Sequence, residues 1–63
     1  MTEVELDSLL RSYGWYLLIA KKYQARYVYA KKRDGKTVRT RYLGSESKLS
    51  ELTEEEVLKR IQL

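Results

Sequence analysis

The dipeptide Asp34-Gly35 is the feature that most narrows what this chain can fold into. It stands between two runs, residues 25–33 and 36–43, in which apolar or aromatic residues alternate with basic ones. Alternation with a period of two describes strands, and Asp-Gly between two such runs is the strongest short-range signal for a hairpin. A two-residue type I′ turn centred on Asp34-Gly35 would pair Arg33 with Lys36, Lys31 with Val38, Tyr29 with Thr40 and Tyr27 with Tyr42. Directly opposed residues share a face of the sheet. One face then carries Tyr27, Tyr29, Val38, Thr40 and Tyr42, and the other carries Arg26, Val28, Ala30, Lys32, Thr37, Arg39 and Arg41. The large, amphipathic tyrosine face is expected to pack on helices, which leaves the basic face open.

The segments on either side complete an α-β-β-β-α order. Residues 2–13 read as a helix. Thr2 and Glu5 have capping-box spacing, Leu6, Leu9, Leu10 and Tyr13 form one apolar stripe, and Gly14 stands where a glycine ends a helix. Residues 15–22 read as a further strand, with Trp15, Leu17 and Ile19 assigned to the core and Tyr16, Leu18, Ala20 and Lys22 to the opposite face. The turn at Lys22-Tyr23-Gln24 lacks a glycine, so its geometry and the strand's register stay open, and a one-residue slip exchanges the two sets. A polar connector follows Gly44, with Leu49 and Leu52 as anchors. Residues 53–63 read as a second helix with Thr53 as its cap and Val57, Leu58 and Ile61 as its apolar stripe. The acidic run Glu54-Glu55-Glu56 occupies its first turn, where the helix dipole favours negative charge, so it is read as helix chemistry. The expected fold is α+β, a single domain of residues 1–63 with a three-stranded antiparallel sheet packed against N- and C-terminal helices.

Sixty-three residues allow one small core. With no Cys and no His, disulfides and the usual zinc sites are excluded, and no cofactor or metal is expected. The chain is too small and too poor in catalytic residue types to suggest an enzyme. The longest apolar run, residues 15–20, is far too short to span a bilayer, and the N-terminus is acidic, so a soluble, cytoplasmic protein is expected. The absence of Pro and the abundance of Lys, Glu and Arg fit a thermophile.

Charge is unevenly placed. Residues 15–44 contain nine Lys or Arg against the single Asp34, a formal +8, whereas the segments before and after it each carry −2. A basic sheet between mildly acidic flanks points to a polyanion, most directly nucleic acid. The expected partner is double-stranded DNA, with a sheet or ribbon in the major groove, where Arg is the commonest specific reader of guanine. Arg26, Arg39 and Arg41 are then central contacts, flanked by Lys32 and Thr37, with Lys31, Arg33 and Lys36 at the hairpin tip on phosphates. Tyr16 on the same face could stack on a base or wedge into a groove, and Lys22 adds a further cation. Tyr16 and Tyr23 are the aromatics expected to be exposed. Three other readings compete: a merely solvated basic surface, RNA or single-stranded nucleic acid stacked on the aromatics, and a protein-interaction module. A monomer or weak homodimer is expected.

The pattern AxYVYAxKR–DG–KxxRxRYLG, three strands followed by a helix, resembles small three-stranded DNA-binding domains. These include the arm-type-site-binding domains of tyrosine recombinases and the AP2-type domains of plants. Its closing KxxRxRYLG is similar to hairpins of archaeal and mobile-element proteins. The resemblance covers residues 15–63 and implies a sheet lying in the major groove with the following helix behind it. It also implies that Arg26, Val28, Lys32, Thr37, Arg39 and Arg41 face DNA, and a nucleoid-associated, chromatin-like or small transcription-regulator role. The chain departs from the recombinase pattern by its extra N-terminal helix and by lacking a catalytic domain, so only a binding module could be shared.

Overall fold

Two helices and one short 3₁₀ segment cover one face of a three-stranded antiparallel sheet and leave the other face bare. The computed structural model describes residues 1–62; Leu63, the last residue expected in the second helix, lies outside the described residues. The elements are α1 (Glu3–Ser12), β1 (Tyr16–Lys22), β2 (Ala25–Asp34), β3 (Thr37–Ser45), a 3₁₀ segment (Glu46–Glu51) and α2 (Glu54–Ile61), with strand order β1-β2-β3. The α-β-β-β-α fold expected from the sequence is the fold observed.

The helix ends follow their side chains. Thr2 Oγ1 accepts from the Glu5 N–H while the Glu5 carboxylate accepts from the Thr2 N–H, a complete capping box. The Thr2 backbone hydrogen bond holds the Glu5 carboxyl below its ordinary range, so the cap is fully present at neutral pH and weakens as pH falls through that lowered value. At the other end Gly14 takes φ +82, Trp15 N–H donates to Leu10 O and Gly14 N–H to Arg11 O. This is a Schellman stop, and it seats the buried Trp15 in the core beside the end of its own helix. Thr53 caps α2 by accepting from the Glu56 N–H.

The core consists of Leu6 and Leu10 from α1, Trp15, Val28 and Ala30 from the sheet centre, Leu43 from β3, Leu49 from the 3₁₀ segment, and Val57 and Ile61 from α2. Leu17 and Ile19 pack at its edge, as does Leu52. Each fully buried Leu or Val side chain contributes about 1.5–3 kcal/mol. Tyr13, expected in the apolar stripe of α1, is 44% exposed because the helix ends there.

Two expectations about the sheet are corrected. The β2–β3 turn is centred on Gly35-Lys36, and Asp34 is the last strand residue, opposite Thr37. Only Gly35 has positive φ in this turn, at +64, so the turn has the II′ pattern, Gly at the first central position, and not the type I′ pattern expected for Asp34-Gly35. Moving the turn by one residue shifts the register by two: Arg33 faces Val38, Lys31 faces Thr40 and Tyr29 faces Tyr42. A shift of two leaves the faces intact, so the tyrosines do share a side. A bulge between Val28 and Tyr29 then sets Val28 opposite Gly44.

The second correction is which side the helices cover. Val28 and Ala30 are both 0% exposed and line the covered face, whereas Tyr27, Tyr29 and Tyr42 lie on the bare one. The physical reason is close approach. Val28 and Ala30 are small enough to let the helices dock on the sheet, and Leu6, Leu10, Trp15, Leu43 and Ile61 supply the bulk. A buried tyrosine would need a partner for its hydroxyl, whereas an open face leaves that hydroxyl in water.

Candidate nucleic-acid interface

The cross-strand register fixes the layout of the bare face. Starting at the β1–β2 turn, Lys22 lies opposite Ala25, Ala20 opposite Tyr27, Leu18 opposite Tyr29 with Tyr42 beyond, and Tyr16 opposite Lys31 with Thr40 beyond; Arg33 opposite Val38 completes the face at the β2–β3 tip. Trp15, Leu17 and Ile19 do belong to the core, as expected, but Tyr16, Leu18, Ala20 and Lys22 share their face with Tyr27, Tyr29 and Tyr42 and not with Arg26, Arg39 and Arg41, because it is the valine–alanine side of β2 that the helices cover. The face changes character along its length, aromatic near the first turn and cationic towards the second.

At the tip every residue from Arg33 to Thr40 is exposed, on both sides of the ribbon. The hairpin thus runs past the helix-covered core. Lys31 and Arg33 stand on the bare side, Lys36 is in the turn, and Thr37 is exposed opposite Asp34. Lys32 and Arg39 face each other on the helix side. Arg39 Nη2 lies 3.5 Å from Asp34 Oδ2, so the one acid of the tip is matched within the hairpin. Lys32 Nζ sits 5.9 Å from the Trp15 ring centroid, a cation–π contact that holds the lysine at the rim of the core.

The structure therefore gathers seven of the eleven residues singled out from the sequence onto the bare face or the tip, Tyr16, Lys22, Lys31, Arg33, Lys36, Thr37 and Arg39, and sets an eighth, Lys32, at the helix-side base of the tip. Three are placed elsewhere. Val28 is fully buried beneath the helices and cannot touch a ligand. Arg26 is exposed on the helix side near the first turn, with Nη1 3.6 Å from Glu46 Oε2. Arg41 is half-buried on the helix side, opposite Ala30, and its Nη1 donates to Thr40 O.

The sequence reading missed Tyr27, Tyr29 and Tyr42 as surface residues. Their rings meet at a tilt, Tyr29 and Tyr42 with centroids 5.4 Å apart at 54°, Tyr27 and Tyr42 at 6.3 Å and 48°. Tyr16 is 47% and Tyr23 96% exposed, as expected for both. Among the described residues no group of acidic side chains is arranged to hold a metal ion, and no helix is long and apolar enough to cross a membrane. Comparison with known protein families, with curated proteins and with solved structures finds no match to this chain.

Proposed function

We propose that this chain binds double-stranded DNA by inserting the β2–β3 hairpin tip into the major groove, in an architectural or small regulatory role. One observation carries the reading: Lys31, Lys32, Arg33, Lys36 and Arg39 crowd a projecting ribbon whose single acid, Asp34, is already paired. A two-stranded ribbon fits a groove about 12 Å wide, and Lys and Arg on it can meet phosphates on both sides while an arginine reaches a base edge. The helices cover the sheet only as far as the core, so the ribbon projects clear of them. Compared with the expectation from sequence, the duplex contact surface moves from the Arg26–Val28–Arg41 side to the hairpin tip, with Lys31 and Arg33 on its bare side.

A second reading has its own support. Tyrosines on an open, basic sheet face suit unpaired bases, which stack on aromatic rings. The two readings separate by fluorescence anisotropy with a mixed-sequence DNA duplex, the same sequence as single-stranded DNA, and the same duplex as RNA. With four or five phosphates engaged, duplex affinity should fall about a hundredfold or more between about 50 and 200 mM salt. Each of Lys31→Ala, Arg33→Ala and Lys36→Ala should lower the salt slope by about one. Duplex RNA should bind more weakly, because its deep, narrow major groove does not admit the ribbon. Tip variants that bind duplex DNA with unchanged affinity and salt slope would overturn the proposal.

A further inference from the structure

At the other end of the bare face, Tyr23, Tyr27, Tyr29 and Tyr42 with Lys22 line a shallow hollow of about 390 Å³. Resting on the DNA-binding reading above, we propose that this hollow takes an unpaired nucleobase, so that the chain recognises a junction between duplex and single strand. The hairpin tip would hold the duplex, and the hollow would hold a base of the strand that continues past it.

Four features point to a base. The lining is aromatic, and rings tilted by 48° and 54° to one another do not cover each other's faces, so a flat ring can stack there. Lys22 is among the lining residues and supplies a cation for the phosphate attached to a stacked base. Among the described residues no carboxylate lines it, and with Lys22 present an ammonium ligand is disfavoured, whereas a base carrying its phosphate is favoured.

The fourth feature is Tyr23 itself. It has φ +59 at the first position of a two-residue turn, a left-handed conformation that suits glycine, and it is 96% exposed. A large ring held in a strained conformation and left in water is the kind of outlier that points to a ligand. Its ring extends the tyrosine row beyond the end of the sheet.

The two ends of β2 are separated by about 30 Å at the usual rise per residue, close to one turn of duplex. An overhang of about ten nucleotides, within the site sizes of single-strand-binding domains, is therefore a suitable probe. Three ligands are compared by anisotropy: a blunt duplex, the same duplex with a thymine overhang, and the thymine strand alone. The overhang should raise affinity about tenfold over the blunt duplex, and most of that gain should vanish in Tyr23→Gly and in Tyr42→Ala, through loss of base stacking. Binding to the blunt duplex should stay unchanged in both variants, and both side chains lie outside the core. Equal affinity for the blunt and overhang duplexes, or a preference that survives in both variants, overturns the hollow while leaving duplex binding intact. Binding of the thymine strand without the duplex overturns the duplex reading and supports the hollow, and no binding to any of the three overturns both.

Discussion

The two hairpin turns make the same bend with opposite materials. Each has two residues, Tyr23-Gln24 between β1 and β2 and Gly35-Lys36 between β2 and β3, and each places its first residue at positive φ, +59 and +64. At the second turn the residue is glycine, which adopts that conformation without a side-chain clash, and a Cβ there would meet nothing within 4 Å. At the first it is tyrosine, for which the left-handed region costs about 1–2 kcal/mol. A relaxed turn ends the cationic tip and a strained turn ends the aromatic hollow. The difference teaches that loop length and strand pairing fix the backbone, while the residue occupying it records a separate demand.

The comparison is most readily broken at Gly35. Gly35→Ala should lower stability by about 1–2 kcal/mol in urea denaturation, and because a Cβ meets nothing within 4 Å there, the loss reports backbone conformation. A loss below about 0.5 kcal/mol would mean that the turn rearranges easily and that the two turns are not equivalent. The converse change, Tyr23→Gly, should raise stability by a smaller amount, about 0.5–1 kcal/mol, since relief of the left-handed strain exceeds the chain entropy that glycine adds. A destabilised Tyr23→Gly would show that the ring is held by contacts and would remove the argument from strain. The smallest effect is the coupling. The double variant should match the sum of the singles within about 0.3–0.5 kcal/mol, because the turns lie at opposite ends of β2.

The architecture was legible because several signals agreed. Thr2 with Glu5, Gly14, and Thr53 with the acidic run mark helix ends by local hydrogen bonding, and those bonds form irrespective of what the helices pack against. The alternation of β2 and β3 was legible too, and the correct grouping of Tyr27, Tyr29 and Tyr42 survived a wrong register because the error was an even number of residues. What could not be read was which side of that alternation the helices would choose. Tyrosine can fill a core or face water, and periodicity is the same in both cases. The choice rests on the closeness of helix to sheet, which depends on Val28 and Ala30 together with the bulky residues that pack over them. Arg26 and Arg41 were assigned to the DNA side through the same ambiguity, whereas the tip residues escaped it because a ribbon exposed on both sides has no hidden face.

That two-sided ribbon also behaves as an adjustable arm. Adding one residue to each of β2 and β3 near the tip would advance Gly35-Lys36 by about 3.3 Å and turn the tip side chains over; adding two would advance it about 6.6 Å and restore them. Neither change reaches the core, whose sheet residues stop at Ala30 on β2 and begin at Leu43 on β3. Reach and orientation of the cationic end can therefore be reset in discrete steps, by selection or by design, while the helix-covered half of the molecule is left as it is.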